Sequence, residues 1–145
     1  MPTRTARTEW TGGLQDGSGT VSLSSSGLGS FHVSFPQRAA DDAGGATSPE
    51  ELLAASHTAC YCMQLSAVLG EAGGTVNSLV ADAQVGLGPD PAGGFRLTGI
   101  KLTVRGQVEG LDADGFARAA EAAKESCPIS KALTGVQITL DAALA

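Results

Sequence analysis

Residues 48–69 restrict this chain more than any other stretch. Ser48-Pro49-Glu50-Glu51 supplies an N-cap serine, a proline at the first helical position and a glutamate at the third that can close a capping box. Residues 52–69 then run without an Asp, Glu, Lys or Arg, and Gly70 or Gly73-Gly74 can end the helix. A helix with apolar residues on nearly every side must be covered, within its own domain or by a second subunit.

The rest of the chain reads as β-structure with two further helices. Residues 5–10, 20–23 and 30–35 are β-prone runs separated by glycine and serine turns, which predicts an antiparallel meander. Residues 36–47 lose periodicity and predict an exposed loop. Strands over 76–87 and 95–108 flank the turn Pro89-Asp90-Pro91-Ala92-Gly93-Gly94, and a change of apolar phase predicts a bulge at Thr98-Gly99. Asp112 caps a helix over 112–124, Cys127-Pro128 starts a short one ending near Leu133, and residues 136–142 form a closing strand. This order is α+β with an antiparallel sheet, and 145 residues suit one domain over 1–145. Aromatic residues are only 4% of the chain, so the core must be built from Ala, Leu, Val and Ile, and burial between subunits would add to it.

A net charge of −6 argues against nucleic acid, whose binding needs a surplus of Lys and Arg on one face. The basic residues of the first ten positions are not followed by a signal-peptide core, and no run of about eighteen apolar residues stands out. The expectation is a cytoplasmic protein without a membrane role. In that compartment three cysteines are buried, catalytic or metal-binding rather than bridged.

Cys60 falls in mid-helix, where the backbone is self-satisfied and a thiolate needs an outside cation; the alternative is a small packing residue. Cys127 precedes Pro128 at a helix start, where free amides favour a thiolate; the alternative is a cap that happens to be cysteine. Cys62 points roughly 200° away from Cys60 and reads as core. His57 shares the face of Cys60 and is either a ligand, a base or a hydrogen-bonded packing residue.

The run Ser-Pro-Glu-Glu-Leu-Leu-Ala-Ala-Ser-His-Thr-Ala-Cys-Tyr-Cys-Met over 48–63 resembles the central-helix motif of the osmotically inducible protein C (OsmC) family, within the OsmC/Ohr organic hydroperoxide reductase superfamily. Cys-Pro-Ile-Ser-Lys-Ala-Leu over 127–133 resembles its second-cysteine motif. The likeness covers nearly the whole chain. It implies a sheet wrapped around a long central buried helix, an intertwined homodimer with sites at the subunit interface, and a role in oxidative or osmotic stress defence. It also implies that Cys60 attacks organic hydroperoxides as a thiolate, that Cys127 resolves the sulfenic acid into a disulfide, and that an Arg–Glu pair activates Cys60. Arg38 stands where the family has its loop arginine, and Glu50 where it has a glutamate ten positions before the attacking cysteine. Glu51 belongs to the capping box, which leaves Glu50 free to meet Arg38.

On this reading no cofactor is required, an external dithiol is the reductant, and Leu52, Leu53, Met63, Ile129 and Leu133 lend the substrate site an apolar character. Two other readings stay open: a metal-binding protein using His57, Cys60 and Cys127, and a stress-linked ligand-binding or structural dimer with inert cysteines.

Overall fold

The computed structural model describes all 145 residues, Met1–Ala145. The chain is α+β, with two three-stranded sheets and four helices. It divides into two compact units, Met1–Leu52 and Leu53–Ala145.

The first unit is the expected meander. Strands β1 (Arg7–Thr11), β2 (Ser18–Ser22) and β3 (Ser30–Val33) pair antiparallel in the order β1-β2-β3. The turn between β1 and β2 needs Gly12 at φ +90° and a bare Gly17 beside it, because a Cβ on Gly17 would lie 2.3 Å from the Gly13 carbonyl. The region expected to be loop departs from the expectation: Phe35–Ala39 forms a short helix, α1, that carries Arg38. Its cause is local. The Ser34 hydroxyl accepts from the Gln37 amide at 3.4 Å and donates to the Gln37 side chain at 2.8 Å, and proline occupies the first turn.

Helix α2 (Pro49–Glu71) begins where the capping signal places it. The Glu51 amide donates to Ser48 Oγ at 3.1 Å, while the Glu51 carboxylate accepts from Thr47 Oγ1 at 2.5 Å instead of closing the box on Ser48. It ends on Gly73 at φ +88°, with the Gly74 amide on the Leu69 carbonyl at 2.8 Å. Within this chain only His57, Tyr61, Leu65 and Leu69 are buried, one stripe at four-residue spacing. The opposite face carries Ala55, Ala59, Met63 and Ala67 in the open, with Met63 72% exposed. The absence of an eighteen-residue apolar run needs correction. Over an eighteen-residue window α2 has a mean hydropathy of 1.3, long and apolar enough by length and composition to cross a membrane. Ser56, His57, Thr58, Gln64 and Ser66 interrupt the run without lowering its average below that level.

The second unit holds the main core. Strands β4 (Thr75–Pro89) and β5 (Phe95–Glu109) form a long antiparallel hairpin. Thr98 is the extra residue between the pairs Gly86–Gly99 and Leu87–Leu97, so the bulge lies at the expected place; a second irregularity falls at Asn77. Helices α3 (Ala113–Ser126) and α4 (Pro128–Ala132) then carry the chain back to β6 (Ile138–Leu144). One pairing differs from an all-antiparallel sheet: β6 runs parallel to β5, as a helical crossover allows. Ile100, Leu102, Val104 and Gly106 alternate inward along β5, and Leu102 and Val104 pack with Phe116, Ala119, Ala120 and Ala123 of α3 and the buried stripe of α2.

Candidate active site

Cys60 and Cys127 stand 67 positions apart in sequence, yet Cys60 packs against the core cluster that holds Cys127, near enough for Cys127 to perturb its ionisation. Two features of the second unit bring them together. Cys60 lies on α2 one residue before the buried Tyr61, whose hydroxyl donates to the Ala120 carbonyl of α3 at 3.0 Å. Cys127 closes α3 and opens α4: its amide donates to the Ala123 carbonyl at 2.9 Å, and Pro128 enforces the break between the helices. Cys127 is 0% exposed and part of the core, whereas Cys60 is half-buried.

The electrostatics depart from the sequence reading in one respect. Cys127 makes no side-chain capping bond, and the Ile129 amide at the start of α4 is directed to the Cys60 sulfur. Burial nevertheless pushes the Cys60 thiol above its ordinary range, and the neighbouring Cys127 adds to the rise against the help of that amide. Within its own unit, Cys60 is therefore a protonated thiol at neutral pH. Cys62 is half-buried rather than core; burial raises its pKa, and it does not join the core cluster.

His57 is 0% exposed and hydrogen-bonded through Nε2 to Ser130 Oγ at 2.7 Å, while its Nδ1 has no partner. Burial lowers its pKa, so the ring is neutral. No group of three or more His, Cys, Asp or Glu side chains is arranged to hold a metal ion, so His57, Cys60 and Cys127 do not form the ligand set of the metal-binding reading.

In the first unit Arg38 and Glu50 form a fork. Arg38 Nε donates to both carboxylate oxygens of Glu50 at 3.1 and 3.0 Å, and Nη2 donates to Oε1 at 2.6 Å. The hydrogen bond raises the arginine pKa. For Glu50, burial pushes upward, but bonds from Arg38, the backbone and Ser48 outweigh it and hold the carboxyl below its ordinary value. Beside this pair lies an apolar hollow of about 310 Å³, lined by Trp10, Leu14, Val21, Val33, Phe35 and Leu52 among others, with Arg38 in its wall. Of the five apolar residues named from sequence only Leu52 takes part. The strand residues were missed because alternation marks a strand's faces but not which face lines a hollow.

The model of the family described as OsmC-like protein matches residues 41–141. The chain belongs to the OsmC family. Among curated OsmC relatives, the chain is 42% identical over 132 residues to peroxiredoxin OsmC of Escherichia coli, covering 91% of this chain and 90% of that one. It is 34% identical over 113 residues to the organic hydroperoxide resistance protein OhrB of Bacillus subtilis, covering 77% and 79%. Two OsmC-type structures share the fold over almost the full chain. The OsmC organic hydroperoxide resistance protein of Legionella pneumophila superposes with a TM-score of 0.76 at 27% identity, covering 99% of both chains. The crystal structure of B. subtilis OhrB gives 0.73 at 30% identity, covering 97% of this chain and 98% of the other.

Proposed function

We propose that this OsmC-family protein is a cysteine-based peroxidase that reduces organic hydroperoxides to alcohols in stress defence. The observation that carries the proposal is the proximity of Cys60 and Cys127 within one core. The names of its relatives, a peroxiredoxin and organic hydroperoxide resistance proteins, supply the reaction class.

The chemistry has three balanced steps. Cys60 thiolate attacks one peroxide oxygen, breaking the O–O bond; it becomes a sulfenic acid, and the alkoxide takes a proton to leave as alcohol. The Cys127 thiol then displaces water from the sulfenic acid and forms a disulfide. An external dithiol is oxidised in returning both cysteines to thiols. No cofactor enters these steps.

An unperturbed cysteine is about 3% thiolate at pH 7, so full ionisation raises nucleophile concentration roughly thirtyfold, or about 2 kcal/mol. Cys60 starts from below that fraction because its pKa is raised. In the proposal Arg38 supplies the missing cation, stabilises the charge that develops on the leaving oxygen, and is held in plane by Glu50. The apolar character expected of the substrate site favours organic over hydrogen peroxide. The exposed apolar face of α2 supports a homodimer of single OsmC-like domains spanning 1–145. A cytoplasmic location, with no nucleic-acid or membrane partner, completes the reading.

The test is steady-state reduction of cumene and tert-butyl hydroperoxides against hydrogen peroxide, with dithiols and monothiols as donors. Cys60→Ser must abolish turnover; retained turnover would sink the mechanism. Cys127→Ala must complete a single turnover and stall under multiple turnover.

A further inference from the structure

The neighbouring pair Cys60 and Cys127 is bracketed by two side-chain bonds. His57 Nε2 meets Ser130 Oγ at 2.7 Å on one side, and Gln64 Nε2 donates to Ser126 Oγ at 3.0 Å on the other. His57 is three positions before Cys60 and Ser130 three after Cys127, so the pairs 57–130, 60–127 and 64–126 run in opposite directions like rungs. Ser126 also donates to the Ala122 carbonyl at 2.7 Å, which ties it to α3. Ser130 lies on α4, a five-residue helix that also packs Ile129 against the core, and it is 6% exposed.

The ring leaves one nitrogen unpartnered in a dry place. A buried orphan N–H is rarer and more costly than an unused lone pair, so the tautomer carries its proton on Nε2 and donates to Ser130, with Nδ1 bare. The bond is thus a directed one, from α2 into the first turn of α4.

We infer that His57 and Ser130 are positioning residues for the disulfide-forming step: their buried bond holds the α4 turn, and with it Cys127, against Cys60 while the sulfenic acid waits for its partner thiol. This rests on the peroxidase reading only for what makes the sulfenic acid. Condensation requires the two sulfur atoms to be close and aligned, and the rate of such an intramolecular step follows how tightly the partner is held. Neither residue enters the attack on peroxide. Loss of the bond therefore slows resolution without slowing the first step.

The experiment compares wild type, Ser130→Ala, Ser130→Thr and the double variant His57→Leu with Ser130→Ala. Truncating the serine alone strands a buried N–H, whereas the double variant removes both polar groups and keeps the site apolar, which protects against simple misfolding. Melting temperature and two rates are read after one equivalent of cumene hydroperoxide: sulfenic acid formation by dimedone trapping, and disulfide formation by thiol titration. The expected result is sulfenic acid formation within about twofold of wild type and disulfide formation at least about tenfold slower in Ser130→Ala and the double variant, with Ser130→Thr restoring it. Disulfide formation at the wild-type rate in a folded double variant would overturn the inference. A parallel arm drives the same disulfide with diamide, which needs no peroxide chemistry. If wild type fails with cumene hydroperoxide but the variants still lag with diamide, the peroxidase reading falls and the positioning role stands.

Discussion

Arg38 is paired with Glu50 and not with Glu51: its Nη2 lies 2.6 Å from Glu50 Oε1, while Glu51 is occupied by Thr47 and the helix cap. Both side chains are largely shielded, 30% exposed for Arg38 and 11% for Glu50. The carboxyl titrates below its ordinary value of 4.5, so folding favours its ionised form. The stability this contributes is complete above the unfolded pKa and is lost as pH falls through the lower folded one. Glu50→Gln is expected to cost about 1–2 kcal/mol at pH 7 in urea unfolding. The gap from wild type should narrow under acid conditions below the folded carboxyl pKa. A gap of the same size at both pH values would count against the pairing as the source.

For Cys60 the sign is opposite. Burial and Cys127 raise the thiol pKa, so without a cation it is protonated at neutral pH. If Arg38 supplies that cation, Arg38→Met should move the midpoint of thiolate formation, followed by ultraviolet absorbance in a Cys62→Ala, Cys127→Ala background, to higher pH. Peroxide reactivity at pH 7 should fall by more than the change in thiolate fraction, because charge on the leaving oxygen also loses its partner. An unchanged midpoint would assign Arg38 no part in activating this thiol.

Gly106 on β5 and Phe116 on α3 are matched in shape. A Cβ on Gly106 would lie 2.7 Å from Phe116 Cε2 and 2.9 Å from its Cζ. Gly106→Ala is expected to destabilise by about 1–3 kcal/mol through overpacking. Phe116→Leu in the same chain should recover part of that loss, and thermal melts of the two single variants and the double one provide the check.

Met63 is 72% exposed on the open face of α2, between Ala59 and Ala67. If that face joins a second copy, Met63→Glu places a charge in an apolar contact and should shift the protein from dimer to monomer in analytical ultracentrifugation. A dimer of unchanged affinity would move the interface elsewhere.

Much of the fold was readable along the chain because its signals are local. The Ser48 cap, the Asp112 cap, the Pro89–Gly94 turn and the Thr98 bulge each depend on a few adjacent residues, and each lies where expected. The α1 helix was also locally encoded, in Ser34-Phe35-Pro36-Gln37, but the glycines and aspartates that follow hid a single turn. The parallel pairing of β6 was not readable, since strand direction is settled by the helical crossover and not by the strand's own residues.

The long helix shows the division between sequence and tertiary structure. Sequence alone determined that the segment from the Ser48 cap to about Leu69 would be helical, where it would start, and that so uncharged a segment needed covering. It could also name Cys60, Cys127, Arg38 and Glu50 through their motifs. Only the tertiary structure decided which stripe of α2 is buried, that the Ile129 amide favours the Cys60 thiolate, and that His57 meets Ser130 across 73 positions. The physical reason is distance along the chain. Capping and turn energies act between neighbours, whereas thiol acidity and partner choice depend on groups that only the packed fold brings within a few ångströms.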